Sequence, residues 1–179
     1  MTTYEIDVLN DISISGLTSK FISNIADAAM VCLDNQKHKS GIILKINGSL
    51  NGDIILLWSD ELTSQIKDTW NDLEETTEYG ATYAAIIIVY FFTPLKVIKR
   101  SVKGTGFDYW LSEKEDEVYP FQEKARLEIS GILKENKSGQ IKSRVKEKIK
   151  QTEQSNNLKL PAYIVVVEFS TPKSEVAIK

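Results

Sequence analysis

Gly104-Thr105-Gly106-Phe107-Asp108-Tyr109-Trp110-Leu111 and Ala125-Arg126-Leu127-Glu128-Ile129-Ser130-Gly131 are the two stretches on which the reading of this chain turns. Each places one acid inside a strand-like run. Side chains alternate along a strand, so Gly106, Asp108 and Trp110 share one face, as do Arg126, Glu128 and Ser130. An acid flanked by Leu127 and Ile129 costs free energy unless a charge or a hydrogen bond meets it. Two acids on neighbouring strands can converge on one point, and a divalent cation there would satisfy both.

Working outward, the run before these blocks, from Ala81 to Pro94, is almost wholly apolar. It is too short for a bilayer, which needs about 20 residues, and reads as a buried core helix starting at Thr76 or Thr77, with Glu78 near its start. Leu95 to Val102 reads as a strand, Lys103 to Gly106 as a turn, Phe107 to Leu111 as a second strand and Ser112 to Glu117 as an acidic loop. Ala125 to Leu133 is a third strand. Gln140 to Gln151, with Ile141, Val145 and Ile149 four apart, is a helix, and Ala162 to Phe169 is a strand inside the sheet. From Glu78 onward the order is therefore helix, strand, strand, strand, helix, strand.

Upstream, Leu17, Phe21, Ile25, Ala28 and Ala29 predict a helix over Ser15 to Leu33. Gly41 to Ile46 and Asp53 to Trp58 flank two Asn-Gly-type turn signals and predict a hairpin. Asp60 is an expected N-cap, with Glu61 in the first turn, for a helix carrying Leu62, Ile66 and Trp70.

The 179 residues and 42% hydrophobic content suit one domain with one core, of class α/β. Met1 to Asn10 has no basic stretch leading into an apolar one, which predicts a cytoplasmic protein with no membrane association. The single cysteine, Cys32, and the single histidine, His38, give no basis for a disulfide, a zinc cluster or a Cys/His nucleophile pair, and both are expected to be structural. The net charge of −3 hides an asymmetry. Lys134 to Lys150 holds seven bases against two acids, a local charge of +5. Such a face can hold phosphate or can simply be solvated. Gly104 and Gly106 lack the third glycine or Gly-Lys-Ser/Thr of a phosphate loop and read as a tight turn. Of Tyr109 and Trp110, one should face each side of the sheet.

Glu78 on the first core helix, Gly-Phe-Asp at 106–108 on a strand and Glu-Ile-Ser at 128–130 on the next resemble the PD-(D/E)XK nuclease-like superfamily. The resemblance covers roughly the last hundred residues. It implies a restriction-endonuclease-like core at 76–170, with 1–75 as an N-terminal helix, hairpin and helix addition within a single domain. The two longer blocks are also similar to those of uncharacterised bacterial proteins.

The resemblance implies a nuclease acting on DNA phosphodiesters in a bacterial defence or mobile-element system. Asp108 and Glu128 would ligate Mg²⁺ or Mn²⁺, and Glu78 would be an auxiliary acid. The superfamily's third motif ends in lysine, where this chain has Ser130. The resemblance lets Lys146 or Lys150 supply the displaced base from the following helix, and Gln151 is similar to a glutamine of some members. Lys103, Lys142, Arg144, Lys146 and Lys150 would hold the nucleic-acid backbone. Two alternatives stand beside this. Either Arg126 pairs with Glu128 and makes the acids structural, or the chain is a catalytically inactive nuclease-fold subunit that binds a protein partner or a second copy of itself.

Overall fold

In the computed structural model, which describes residues 2–7, 15–58, 62–114 and 122–179, eight strands form one sheet. The strands are β1 (Thr3–Asp7), β2 (Ile42–Gly48), β3 (Gly52–Leu57), β4 (Leu95–Arg100), β5 (Tyr109–Glu113), β6 (Ala125–Ile132), β7 (Ala162–Glu168) and β8 (Lys173–Ile178). Their order across the sheet is β1-β3-β2-β8-β7-β6-β5-β4. Helices α1 (Ser19–Asn35) and α3 (Leu73–Phe92) cover one face, while α4 (Gln140–Gln151) and a 3-10 helix at Thr152–Leu158 cover the other. A short α2 spans Ser64–Thr69. The main core runs continuously from Ile6, Ile22 and Ile54 to Leu127 and Val165. The N-terminal hairpin therefore extends the same sheet, joined to the rest through the parallel pairing of β2 with β8. Among the described residues no helix is long and apolar enough to cross a membrane.

Local chemistry sets where the helices begin. Thr18 caps α1 by accepting the Phe21 N–H, which moves its start inward from Ser15. Thr63 caps α2 in the same way, whereas the expected cap Asp60 and its neighbour Glu61 lie outside the described residues. For α3 the cap is Asp72, whose carboxylate accepts both Glu74 N–H and Glu75 N–H. The expected start at Thr76 or Thr77 gives way because these hydroxyls donate instead to carbonyls four residues back. Helix α3 is buried nearly all round from Thr76 to Val89. Hence it shows no clean amphipathic stripe.

Two strands escaped the sequence reading. In β8 buried and half-buried positions alternate, as in Ser174 and Val176 against Lys173 and Glu175, and in β1 only Ile6 is buried. Both are short, β1 mostly polar and β8 polar in its first half. Cys32 is buried and free, and burial pushes its thiol up to about 12, so it is inert. His38 Nε2 lies 3.0 Å from the Phe169 carbonyl oxygen and 3.1 Å from that of Ser170, which fits a structural role. Tyr109 points into the core and Trp110 to the other side, edge-on to Phe107.

Candidate functional site

The site begins where two strands part. β5 and β6 pair antiparallel through Tyr109↔Leu127, Trp110↔Arg126 and Leu111↔Ala125. One residue earlier, the Asp108 N–H still donates to the Leu127 carbonyl at 2.8 Å, but the Ile129 N–H is taken by the Asp108 carboxylate, also at 2.8 Å. A side chain has replaced the next rung of the ladder, which is why β5 starts at Tyr109 rather than Phe107. Beyond Ile129, β6 keeps its pairing to β7 on one side only. Its other edge forms the floor of a cleft of about 730 Å³.

Two glycines let the walls approach that floor. At Gly131 a Cβ would lie 2.4 Å from the Thr77 carbonyl oxygen, so the first turns of α3 rest on β6 backbone. At Gly106, where φ is +79°, a Cβ would lie 2.4 Å from the Gln151 carbonyl oxygen. The turn before Asp108 is thereby docked on the end of α4. One wall is thus the N-terminal part of α3, with Glu74, Glu75 and Glu78. The other is α4, with Arg144 and Lys148.

The two acids meet. Asp108 is partly exposed and lines the cleft, whereas Glu128 is fully buried behind it. The carboxyls are close enough for each to shift the other's titration. Glu128 Oε1 accepts from Lys148 Nζ at 2.6 Å, and Nζ also donates to Gln151 Oε1 at 3.1 Å. Glu128 Oε2 has no hydrogen-bond partner among the described residues, and a second carboxylate is no donor unless it carries the proton. Burial pushes Glu128 up to about 7, the Asp108 charge adds to this, and Lys148 opposes it. Burial also raises Asp108, with the Ile129 N–H and Lys148 pulling back.

Arg126 does not enter this space. It is buried on the same strand face, donating to the carbonyls of Thr152 at 3.2 Å and Leu160 at 2.6 Å and to Ser155 Oγ at 2.7 Å. It pins the 3-10 helix to β6 and leaves Glu128 to Lys148. Arg144 donates to Ser130 Oγ at 3.0 Å and pairs with Glu147 at 3.4 Å, which holds its guanidinium against the cleft.

Not all of the expected side chains gather here. Glu78 is exposed on the cleft wall, and Arg144 faces the cleft. Lys142, Lys146 and Lys150 are exposed on the other flank of α4 and, like Lys103, are not among the described residues lining the cleft. Lys148 stands where Lys146 or Lys150 was expected. The sequence carries half of the needed signal, because Arg144 and Lys148 are also four apart beside the Ile141 and Val145 stripe. The stripe fixes which side of α4 meets the sheet. Which flank then meets the acids depends on strand order.

A divalent cation fits this donor set. Glu128 Oε2 is buried and unpartnered, and Asp108 stands beside it in a negative pair that Lys148 faces, with Arg100 also acting on Asp108. Among the described residues no group of three or more Asp, Glu, His or Cys converges on one point. The remaining ligands would be water and substrate oxygens, as Mg²⁺ commonly accepts. No family model, curated protein or solved structure matches this chain.

Proposed function

We propose that this protein is a Mg²⁺-dependent nuclease-like hydrolase of DNA phosphodiesters. The observation that carries this reading is that Asp108 and Lys148 line a cleft in which Arg144 stands ready for a phosphate, with Glu128 buried directly behind them and bonded to Lys148. Asp108 and Glu128 would hold the cation, which when bound would polarise the phosphate and acidify an attacking water. Hydrolysis joins the water oxygen to phosphorus and releases one ester oxygen. The chain's own groups serve the remaining needs. Lys148 places a positive charge against Glu128 and Asp108 and faces the charge that builds on the phosphate oxygens. The Arg144 guanidinium, fixed by Ser130 and Glu147, suits a phosphate in its planar fork. The water proton passes to solvent, and the departing ester oxygen takes up a proton in its place.

The element order and the Gly-Phe-Asp and Glu-Ile-Ser blocks support a restriction-endonuclease-like core and, with it, a role in bacterial defence or a mobile element. A second reading rests on one specific observation: Glu128 is sealed from solvent and already ion-paired to Lys148. On that reading the chain is an inactive nuclease-fold subunit that binds a partner. Purified protein incubated with linear, circular and single-stranded DNA in Mg²⁺ or Mn²⁺, beside Asp108→Asn, separates the two. Cleavage by the wild type alone supports the hydrolase. Equal cleavage by both proteins, or none by either, supports the subunit.

A further inference from the structure

We infer that the cleft takes a single DNA strand and rejects the duplex, an inference that rests on the nuclease reading for its substrate class. The charge on the two walls carries it. Four cations (Arg100, Lys134, Arg144 and Lys148) and four acids (Glu74, Glu75, Glu78 and Asp108) line the cleft, with Arg100 on the α3 side of the sheet over Phe21 and Tyr109, and the two helical walls still differ in sign. Arg144 and Lys148 lie on α4, while the three glutamates lie on the first turns of α3 across the β6 edge.

The start of α3 is the telling feature. A helix N-terminus facing a nucleic-acid cleft is normally an anion site, because its free N–H groups and dipole attract phosphate. Here the Asp72 carboxylate occupies the Glu74 and Glu75 N–H groups, and both of those side chains add negative charge in front of them. That wall repels phosphate. A duplex presents two phosphate backbones, and seating one on α4 brings the other toward these glutamates. A single strand has one backbone, which lies along Arg144 and Lys148. Its bases turn toward α3, where carboxylates accept hydrogen bonds from exocyclic amino groups such as cytosine N4. The volume agrees, since about 730 Å³ is the size that encloses one small ligand, or roughly a nucleotide or two.

The test is fluorescence anisotropy on the full chain carrying Asp108→Asn to prevent cutting. The probes are a labelled mixed-sequence DNA oligonucleotide of about 20 nucleotides, longer than common single-strand site sizes, alone and annealed to its complement. The strand should bind at least about tenfold more tightly than the duplex. Its log K against log salt should fall with a slope of about −1.4, as for two phosphates on a single strand. Adding Glu74→Gln and Glu75→Gln, with a thermal melt to confirm folding, should raise duplex affinity roughly threefold or more by removing like charge. Equal or tighter duplex binding, duplex affinity unmoved by the double substitution, or no binding of either probe overturns the inference. Wild-type cleavage in Mg²⁺ keeps the two ideas apart. Cutting of duplex but not of single strand sinks the strand preference and leaves the nuclease standing, whereas selective strand binding with no cutting sinks the nuclease and leaves the strand preference.

Discussion

Glu128 on β6 and Glu168 on the neighbouring β7 are both fully buried, yet their surroundings are opposite. At Glu168 the chain turns at once into Ser170 and Thr171, whose N–H and hydroxyl groups all donate to the carboxylate, and Lys173 stands 4.0 Å away. Burial pushes this group up, but those hydrogen bonds outweigh it and hold Glu168 below the usual glutamate value. At Glu128 one oxygen meets Lys148 and the other faces a second acid, and the group titrates near neutrality. A buried acid is therefore not in itself a sign of chemistry. Its unmet hydrogen-bonding capacity is, because folding alone gives no reason to keep it.

The contrast can be broken most severely through activity. Asp108→Asn should lower Mg²⁺-dependent cleavage by about 10³-fold or more, since a lost carboxylate ligand removes several kcal/mol of transition-state stabilisation. Glu168→Gln should leave turnover per folded molecule unchanged. Equal losses in a cleavage assay would erase the distinction between the two acids.

Next comes stability. Glu168→Ala strands the Ser170 and Thr171 donors and should destabilise the protein by about 3 kcal/mol in urea denaturation. A cost under about 1 kcal/mol would show that the turn does not depend on its carboxylate.

The two acids should also leave opposite marks on stability against pH in metal-free buffer. Glu128 moves from 4.5 to about 7 on folding, so its contribution is full below pH 4.5 and is lost as pH rises through 7. The swing is up to about 3 kcal/mol at 1.36 kcal/mol per pH unit, and Glu128→Gln should flatten it. Glu168, held low, contributes above the ordinary glutamate pKa and loses that contribution as pH falls. A Glu128→Gln protein with the wild-type pH profile would mean that Glu128 is charged at neutrality.

The smallest effect concerns the walls of the cleft. Gly131→Ala drives a methyl group into the Thr77 carbonyl and should cost about 1–2 kcal/mol while moving α3 off the β6 edge. Thermal denaturation together with nuclease assays measures both consequences. An unchanged Tm would show that α3 is not seated as closely as the contact requires.

Much of this arrangement was legible in the residues. The order from α3 to β7 follows from apolar runs and periodicity, and α4 spans Gln140–Gln151 as its stripe predicts. The two acids do come together, as alternation on adjacent strands allows. Three things were not legible, each for a physical reason. Strands β1 and β8 are short, with one apolar residue other than tyrosine in β1 and the apolar residues of β8 confined to its second half, so neither carries a clear alternating signal. The choice of Lys148 over Lys146 or Lys150 depends on which flank of α4 faces β5, a tertiary fact. The role of Arg126 was open because its partners lie in the 3-10 helix and at Leu160, where local pattern says nothing.

The central claim is that the unmet capacity of Glu128, together with Asp108, is a cation site. Calorimetric titration of the wild type with Mg²⁺ or Mn²⁺ at pH 7, repeated in buffers of different ionisation enthalpy, tests it most directly. Because burial and the Asp108 charge push Glu128 up to about 7, binding should be saturable, should release protons, and should vanish in Glu128→Gln and Asp108→Asn. Saturable binding that survives both substitutions, or no binding by the wild type, would contradict the account.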